Sequence, residues 1–339
     1  MAPALTASGD PAREMTHGAA LAGRSVLVTG GGGFYGLNLM SRLSDSGAHV
    51  VCAGRSRPAV LPQGCTWIAA DLGERAQAEA LFAATRPAIV FHLTSASLGG
   101  PEIENIGASV TGDLLPTLHV LEWASRSGTA RVILPASMEE PFPVADADGE
   151  LAVPETPYAL SKLVGGLYGR FFRRTYDVPV VVLRCFLTYG PHQKPYKLIP
   201  YVIRSLHDGK APRLSSGLRL VDWIYVDDVV AALLAAAIVP DAPETVLEIG
   251  SGTLRSIREV VATIHRLMGG PAPIFGALPN RGHQRVARIA PATALLGWLP
   301  TTDIEDGLRR TIAFYAERMS ASPASVVSSQ PGVCPACAS

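Results

Sequence analysis

The stretch S-V-L-V-T-G-G-G-G-F-Y-G at residues 25–36 decides the fold of this chain. A short run rich in β-branched residues ends in four consecutive glycines, and a helical pattern begins at Phe34. Strand, glycine turn and helix in this order open a βαβ unit, whose helix N-terminus can hold a pyrophosphate. The spacing of Gly30, Gly33 and Gly36 is one step from the dinucleotide fingerprint. Because glycine-rich turns after strands are common, this stretch alone leaves nucleotide binding an even choice.

Each glycine of this pattern has a predicted role. Gly30 permits a tight turn, Gly33 lets the backbone approach a phosphate, and Gly36 removes a side chain where the helix meets the strand. Phe34 and Tyr35, which open the helix, complete the predicted cofactor loop.

The composition excludes several classes of protein. The 339 residues are 48% hydrophobic and 17% charged, which is typical of a globular chain with a large core. Lys+Arg and Asp+Glu both total 29, so no charge excess predicts nucleic acid or an anionic membrane as partner. Five unevenly spread cysteines indicate a reducing cytoplasm rather than a disulfide framework. The longest apolar run, Val229 to Val239, is too short to span a bilayer and predicts a buried helix.

Strand and helix patterns alternate after the glycine turn. Strands are predicted at 48–53, 67–70, 88–93 and 131–134, and helices at 37–46, 76–84 and 113–126. This alternation predicts an α/β, Rossmann-type doubly wound parallel sheet, whose ligand lies beyond the carboxyl ends of the strands. Residues at such ends are Gly33, Arg55, Asp71, Thr94 and Ser137. His92, inside an apolar strand, is interpreted as a packed core histidine rather than a base or metal ligand.

The end of the second strand indicates which dinucleotide binds. An acidic residue at this position holds the ribose 2′-hydroxyl in NAD-binding folds. Here the position is Gly54, followed by Arg55 and Arg57. Two guanidinium groups without a carboxylate suit a 2′-phosphate, so NADP is favoured and NAD is the alternative. Two solvated loop arginines would explain the same residues without a cofactor.

A tyrosine and a lysine one helical turn apart carry the predicted chemistry. Tyr158 and Lys162 are spaced i, i+4 in P-Y-A-L-S-K at 157–162, so they share one helix face. The ammonium group favours the phenolate and is expected to lower the tyrosine pKa from about 10 toward neutrality. Ser137 is placed to hydrogen-bond the same substrate oxygen. The pair alone is common on protein surfaces, but the glycine turn and the serine upstream make it a predicted acid/base site.

These elements belong to a longer series of motifs that covers roughly residues 24–318. The series is T-G-G-G-G-F-Y-G (29–36), D-L (71–72), F-H-L-T-S-A (91–96), Ser137, Y-A-L-S-K (158–162), L-R-C-F-L-T-Y-G-P (183–191), K-L-I-P (197–200), V-D-W-I-Y-V-D-D-V-V (221–230) and L-G-W-L-P (296–300). In this order the motifs resemble the extended short-chain dehydrogenase/reductase family, the nucleotide-sugar epimerases and dehydratases.

The resemblance implies residue roles and a domain division. Tyr158 would be the acid/base on a sugar hydroxyl, usually at C4, Lys162 would bind the nicotinamide ribose, and Ser137 would orient the oxygen. The remaining implied cofactor contacts are Asp71 and Leu72 at the adenine, and Leu93, Thr94 and Ser95. The implied dinucleotide domain is 24–189 plus roughly 225–252, and the smaller substrate domain is 190–224 with 253–318. The family also implies a homodimer that forms through helices around 108–126 and 156–175.

Several positions depart from the family pattern. Met138 stands where many 4,6-dehydratases carry an acidic Asp, while Glu139 occupies the following Glu position, so elimination chemistry stays open. For Glu139 and the adjacent Glu140, a solvated loop is the alternative interpretation. Leu187 and Val221 replace an asparagine and an arginine that the family uses at the phosphates.

Other basic residues can replace the lost phosphate anchors. Arg219 lies two residues before the Val221 position, Arg281 matches a family arginine at the diphosphate, and Lys197 lies where groups often line the nucleotide site. Charge-assisted hydrogen bonds from such groups favour phosphate. A nucleotide-diphosphate sugar therefore remains the predicted substrate.

The two ends of the chain are predicted to lie outside the fold. Residues 1–23 are interpreted as a flexible leader and 319–339 as a disordered Ser/Pro/Ala-rich tail. The tail holds Cys334 and Cys337, and a single C-x-x-C is weak support for zinc, so no metal site is predicted.

The leading functional hypothesis is an NAD(P)-dependent nucleotide-sugar 4-epimerase. An NADP-dependent 4-ketoreductase or a dehydratase suits Arg55 and Arg57 better, because sugar 4-epimerases commonly retain NAD. A reductase of a non-nucleotide carbonyl substrate is a further alternative. A dinucleotide-sensing protein without activity is the non-enzyme alternative, which the set of Ser137, Tyr158 and Lys162 disfavours.

Overall fold

The structure, a computed structural model, describes residues 20–96, 100–141, 153–241, 243–278 and 285–321. Ten strands and ten helices are described, with one 3-10 turn and one π turn. The strands are β1 (Ser25–Thr29), β2 (His49–Gly54), β3 (Cys65–Ala69), β4 (Ile89–His92), β5 (Arg131–Ser137), β6 (Val180–Cys185), β7 (Leu187–Tyr189), β8 (Leu220–Tyr225), β9 (Leu247–Ile249) and β10 (Leu254–Ser256).

The helices follow the strands in the alternation that the sequence predicts. They are α1 (Phe34–Leu43), α2 (Arg75–Thr85), α3 (Asn105–Ser109), α4 (Leu115–Ser127), α5 (Pro157–Tyr176), α6 (Leu198–His207), α7 (Val226–Ile238), α8 (Ile257–Met268), α9 (Ala290–Leu296) and α10 (Ile304–Ala321). The apolar run predicted as a buried helix is α7, most of whose residues are buried.

Seven strands form one parallel sheet in the order β3-β2-β1-β4-β5-β6-β9. Because β1 lies between β2 and β4, the direction of winding reverses there, and a crevice opens beyond the carboxyl ends of β1 and β4. The predicted Rossmann-type doubly wound sheet is confirmed. Apolar residues on both faces of this sheet are fully buried, Val28 and Phe91 on one face and Leu27 and Val90 on the other, as a sheet covered on two sides requires.

A second, three-stranded sheet has the order β10-β8-β7, with β7 and β8 parallel and β8 and β10 antiparallel. Its apolar residues are continuous with the core below the large sheet, and Trp223 and Tyr225 of β8 pack with Tyr189 of β7. This sheet and helices α6, α8 and α10 are contributed mainly by the segments that the sequence assigns to the substrate domain.

The helix predicted over 113–126 is longer and interrupted. Helical structure begins at Asn105, passes through a π turn at Val110–Leu114, and continues as α4. A π turn adds one residue to the helical repeat and redirects the side chains around it. Its effect here is that Asp113 lies buried at the interior of the protein.

The ordered fold extends past both predicted ends. Leu21 is fully buried, and the Gly23 amide donates to the Gly47 carbonyl, so the segment 20–23 packs on the core although the sequence places it in a flexible leader. At the other end α10 continues to Ala321, beyond the predicted tail boundary at 319. The C-x-x-C cysteines lie outside the described residues.

Candidate active site

The glycine turn lies directly against the end of β4. Gly30 has a φ of +68°, and a Cβ built there would lie 2.6 Å from the Leu93 carbonyl carbon and the Thr94 nitrogen. A Cβ on Gly36 would lie 2.5 Å from the Gly30 carbonyl oxygen. Both positions therefore require glycine, one for a left-handed turn and one for close packing of α1 on the turn. These two predicted roles are confirmed.

The N-terminus of α1 suits an anionic group. Gly33 is the N-cap residue, is exposed, and supplies no side-chain cap, and the first turn of α1 carries no acidic residue. The amides of a helix's first turn lack intrahelical acceptors and carry the positive end of the helix dipole. Beside the turn, the buried Thr94 hydroxyl has no hydrogen-bond partner among the described residues. Both features fit a dinucleotide phosphate and its neighbouring groups.

Tyr35 differs from the other members of this loop. Its hydroxyl is hydrogen-bonded to Thr188 Oγ1 at 2.8 Å, and burial raises its pKa well above the usual value. The side chain thus ties α1 to β7 of the second sheet. Phe34 stacks beside it with ring centroids 5.3 Å apart. The cofactor contact predicted for Tyr35 stays a prediction, and the Tyr35 hydroxyl is already engaged with Thr188.

The arginine loop borders the glycine turn. β2 ends at Gly54, and Arg55 and Arg57 follow it with exposed side chains. A Cβ on Gly32 would lie 3.2 Å from the Ser56 carbonyl oxygen, so the arginine loop and the glycine turn are in close contact. This placement is compatible with a 2′-phosphate, and the choice of NADP over NAD stays a prediction.

The predicted adenine contacts follow β3. The Asp71 carboxylate accepts a hydrogen bond from the Gly73 amide at 2.9 Å, and it is half-buried. The Leu72 side chain is buried in the core, which leaves it little surface to offer an adenine ring. The Leu72 carbonyl is 2.7 Å from His119 Nδ1.

Ser137, Tyr158 and Lys162 converge beyond the carboxyl end of β5. Ser137 is the last residue of β5, and α5 begins at Pro157 with Thr156 as N-cap, whose hydroxyl accepts from the Ala159 amide at 3.1 Å. The Ser137 side chain lies near enough to Tyr158 to lower the pKa of its hydroxyl. Lys162 Nζ lies 5.9 Å from the centroid of the Tyr158 ring. The three residues predicted to act together are therefore neighbours.

The electrostatics of Tyr158 differ from the sequence-based expectation. Its pKa is raised, chiefly by burial, and the charges of Asp113 and Glu139 raise it further, while the Ser137 side chain lowers it. The expected lowering toward neutrality by Lys162 is wrong. The main physical reason is burial of the phenol, and the Lys162 ammonium lies 3.7 Å from Asp113 Oδ1, so a buried carboxylate offsets its charge.

The residues after Ser137 behave in opposite ways. Glu139 is exposed, and its amide donates to Ser137 Oγ at 3.1 Å. Glu140 is buried, its Oε1 accepts from the Ser137 amide at 2.6 Å, and its Oε2 accepts from Arg184 at 3.2 Å. The solvated-loop interpretation is therefore wrong for Glu140, because Arg184 of β6 supplies a buried cation that the sequence does not place beside it.

The ion pair at Glu140 is part of a buried chain of charges. Arg184 also lies 3.7 Å from Glu248 of β9, and Glu248 accepts from Arg285 and from the Arg288 amide, each at 2.7 Å. These contacts connect the backbone of Ser137, through strands β6 and β9, to the segment that begins at residue 285.

His92 is a core residue, as the sequence predicts. Its ring lies between Thr29 Oγ1 at 2.8 Å and Thr117 Oγ1 at 3.1 Å. Burial lowers the pKa of His92 to about 3, so the ring is neutral at physiological pH.

Comparison with known proteins assigns the family. The model of the NAD dependent epimerase/dehydratase family matches residues 26–250, more than half of the chain. The chain belongs to this family. It is an NAD(P)-dependent enzyme of the short-chain dehydrogenase/reductase type, so the non-enzyme alternative, already disfavoured by the sequence, is set aside.

Relatives and solved structures of this epimerase/dehydratase type cover nearly the whole chain. The dTDP-glucose 4,6-dehydratase of Neisseria meningitidis serogroup B is 28% identical over 87% of this chain and 94% of its own. The structure of a UDP-glucose 4-epimerase from Thermotoga maritima with UDP-glucose is 25% identical with a TM-score of 0.77, over 87% of this chain and 99% of that one. MoeE5 in complex with UDP-glucuronic acid and NAD is 29% identical with a TM-score of 0.76 over the same shares.

The substrate anchors expected in this epimerase/dehydratase enzyme are only partly described. Lys197 is the half-buried N-cap residue of α6, and Arg219 directly precedes β8. Val221 is fully buried in the core, so its side chain cannot replace an anchoring arginine. Arg281 lies outside the described residues. The roles of Lys197, Arg219 and Arg281 stay predictions.

The sequence-based prediction omits two features of the site. It does not include Asp113, and it does not pair Glu140 with a buried cation. Asp113 follows Gly112 in a segment that reads as an ordinary helix start, where an acidic residue is common. A signal was present in the apolar residues Leu114 and Leu115 directly after it, which indicate burial. Nothing in the sequence marks Lys162 as its partner.

The described residues contain no group of three or more His, Cys, Asp and Glu side chains arranged to hold a metal ion. Across these same ranges no helix is both long and apolar enough to cross a membrane.

Among the described residues, Cys52, Cys65 and Cys185 are free thiols, and burial raises the pKa of Cys185, near Tyr35 and Lys162, to about 12.

Proposed function

We propose that the enzyme acts on a nucleotide-diphosphate sugar by hydride transfer at a carbinol carbon, C4 of the sugar, and that its overall reaction is 4-epimerisation. The observation that carries this proposal is the meeting of Ser137, Tyr158 and Lys162 beyond β5, with the glycine turn beyond the neighbouring β1 and β4. A hydride carrier held at the glycine turn would reach a carbinol that is hydrogen-bonded at Tyr158.

Each residue has a defined task in this reaction. The bound nicotinamide would accept a hydride from C4 and later return it. Tyr158 as phenolate takes the proton of the C4 hydroxyl as the ketone forms, and Tyr158 as phenol gives it back when the ketone is reduced. Ser137 donates a hydrogen bond to the same oxygen and fixes its position. Return of the hydride to the opposite face of the ketone gives the C4 epimer, with no net oxidation or reduction.

Elimination is the less favoured outcome. Removal of a neighbouring hydroxyl needs an acid beside the sugar, and Met138 occupies that position with a side chain that carries no proton to give. Glu140 is committed to Arg184 and the Ser137 amide, so only the exposed Glu139 is available as a base.

NADP is the favoured cofactor in this proposal, because exposed Arg55 and Arg57 border the glycine turn and no carboxylate ends β2. Charge-assisted hydrogen bonds from guanidinium groups favour a 2′-phosphate. The same observation supports a second candidate, an NADP-dependent 4-ketoreductase that takes up reduced cofactor and releases it oxidised. The raised pKa of Tyr158 agrees with a proton donor to a ketone.

Product analysis distinguishes these reactions. The full chain is incubated with a panel of nucleotide sugars, with and without added NADPH, and the products are read by NMR. Isomer formed without net redox supports the epimerase, NADPH-dependent reduction supports the ketoreductase, and a 4-keto-6-deoxy product supports a dehydratase. Conversion of no nucleotide sugar would contradict the substrate class and favour a carbonyl substrate without a nucleotide.

The Tyr158→Phe variant tests the catalytic assignment directly. Removal of one hydroxyl removes the acid/base but keeps the ring, so turnover is expected to fall by about 10²–10⁴-fold. Binding of NADP(H), measured by cofactor fluorescence, is expected to stay close to the native value. Turnover within threefold of the native enzyme would sink the assignment.

We also propose that the enzyme is a cytoplasmic homodimer. Leu160, Leu167 and Phe171 of α5 are exposed along one face of the helix, and Ile106 of α3, which packs against α5, is exposed as well. An apolar face of this extent is typical of an interface, and the two helices are those around which a family-type dimer would form.

A further inference from the structure

We propose that Trp67 of β3 determines cofactor specificity, because its indole ring occupies the space that a carboxylate at the end of β2 would need and so excludes the group that holds the 2′-hydroxyl of NAD. The proposal deepens the proposed function, since it rests on a dinucleotide being held at the glycine turn and on NADP being favoured over NAD. It adds a residue of β3 to a choice that the sequence assigns to Arg55 and Arg57.

The benzo edge of the Trp67 ring lies among three glycines. A Cβ built on Gly54, the last residue of β2, would lie 3.1 Å from Cη2 and 3.4 Å from Cζ2 of this ring. A Cβ built on Gly31 would lie 3.3 Å from Cζ3, and one built on Gly32 would lie 3.6 Å from Cη2. The same ring edge therefore borders both the end of β2 and the glycine turn.

The pairing of β2 with β3 puts the ring on this side of the sheet. Cys52 is the register partner of Trp67, and Gly54 is the partner of Ala69, so residues 52, 54 and 67 share one face. This is the face that α1 covers, because Cys52 and Trp67 both pack in the core cluster that includes Met40 of α1. The indole Nε1 makes no hydrogen bond with the described residues, so packing holds the ring in place.

A side chain at Gly54 meets this ring with its first atom. The 3.1 Å between its Cβ and Cη2 is closer than the distance of about 3.5–4.0 Å at which carbon atoms pack best. A carboxyl group beyond that Cβ needs still more room. A ring that yields toward the turn moves against Gly31, which is itself buried. Trp67 thereby makes glycine the residue that fits at the end of β2.

The chemical consequence concerns the 2′ group of the adenosine ribose. A carboxylate at the end of β2 accepts a hydrogen bond from a 2′-hydroxyl, and its charge repels a 2′-phosphate. With glycine at residue 54, the charged side chains that directly follow β2 are those of Arg55 and Arg57, both exposed. Guanidinium groups bind a phosphate through charge-assisted hydrogen bonds and gain less from a neutral hydroxyl. The ring therefore favours NADP by excluding the carboxylate.

Binding of NADP and of NAD to the full chain, each measured by titration calorimetry, tests the proposal. The proteins compared are the native enzyme, Gly54→Asp, Trp67→Leu and the double variant. Gly54→Asp alone should weaken NADP binding about tenfold through charge repulsion and should not tighten NAD binding, because the ring denies the carboxylate its place. In the Trp67→Leu background the same substitution should tighten NAD binding about tenfold.

Ser56→Asp is the matched control for the added charge. It places a carboxylate on the exposed loop two residues after Gly54, at a side chain that does not replace a glycine beside the ring. Its effect on the binding of either nucleotide should therefore be the same, within about twofold, with and without Trp67. A gain in NAD affinity that requires removal of the ring is a coupling between residues 54 and 67 that added charge alone does not produce.

Two binding results would overturn the proposal. One is a Gly54→Asp protein that tightens NAD binding as much with Trp67 present as without it. The other is a folded double variant that binds NAD no more tightly than Trp67→Leu does. If a protein with Gly54→Asp does not fold, thermal melting of Gly54→Ala decides the matter. The added methyl group should lower the Tm more with Trp67 present than with Leu at that position, and equal changes in Tm would contradict a ring that excludes side chains.

These measurements are independent of the sugar substrate. A protein that converts no nucleotide sugar leaves the binding results unaffected. A native enzyme that binds NAD more tightly than NADP would refute the NADP assignment, and the dependence of the Gly54→Asp effect on Trp67 would then show whether the ring still excludes the carboxylate.

Discussion

Replacement of Glu140 by alanine should destabilise the protein far more than replacement of its neighbour Glu139. The Glu140 and Arg184 side chains are only 3% and 4% exposed, and they pair at 3.2 Å. The substitution leaves two buried groups without their acceptor, the Arg184 guanidinium and the Ser137 amide.

The magnitude follows from these two losses. Breaking a buried ion pair by removing one partner costs about 3–5 kcal/mol, and a buried amide without its acceptor costs about 1–3 kcal/mol. Arg184 keeps Glu248 at 3.7 Å, which offsets part of the first loss. We therefore expect the free energy of unfolding to fall by about 3 kcal/mol.

Urea denaturation followed by circular dichroism measures this difference. With a denaturant slope of about 3 kcal/mol/M, the midpoint of Glu140→Ala should fall by about 1 M. The Glu140→Gln variant keeps an acceptor for the Ser137 amide, so its denaturation midpoint should fall by about half as much. Glu139→Ala, exposed and one residue away, should stay within about 0.5 kcal/mol of the native protein. Equal midpoints for the Glu139→Ala and Glu140→Ala proteins would refute the assignment of a buried pair.

Three further predictions concern the acid stability, the cofactor and the assembly. The folded-state pKa of His92 is lowered from 6.5 to about 3, so on acidification only the unfolded state takes up its proton, and stability should fall by about 1 kcal/mol between pH 6.5 and about pH 5.5. His92→Gln should flatten this part of the stability–pH curve, and an unchanged slope would contradict the burial of a neutral ring. Arg55→Ala should weaken NADP binding about tenfold and leave NAD binding unchanged, as measured by titration calorimetry. The Arg126→Ala variant, which removes another exposed arginine, is the control. Equal NADP affinities for the native and Arg55→Ala proteins would contradict the preference for NADP. Phe171→Glu should convert a dimer to a monomer in sedimentation, since a charge is placed in an apolar interface, and an unaltered mass would exclude this face.

The sequence alone predicts the elements whose causes are local. Residues that are close together in the sequence explain the strand before Gly30 and the left-handed turn at Gly30. They also explain the close packing of Gly36 against the Gly30 carbonyl oxygen. The structure agrees with each of these predictions. The i, i+4 spacing of Tyr158 and Lys162 likewise places them on one face of α5 without reference to any other element.

Only the tertiary structure decides how the charges of the site are paired. Asp113 meets Lys162 because a π turn and the approach of α5 bring two distant segments together, and Glu140 meets Arg184 because β5 and β6 are neighbours in the sheet. The strength of these pairs depends on burial, which is a property of the packed protein and not of a sequence window. The sequence therefore predicts which residues form the candidate site, whereas the fold determines which of their charges are buried and paired.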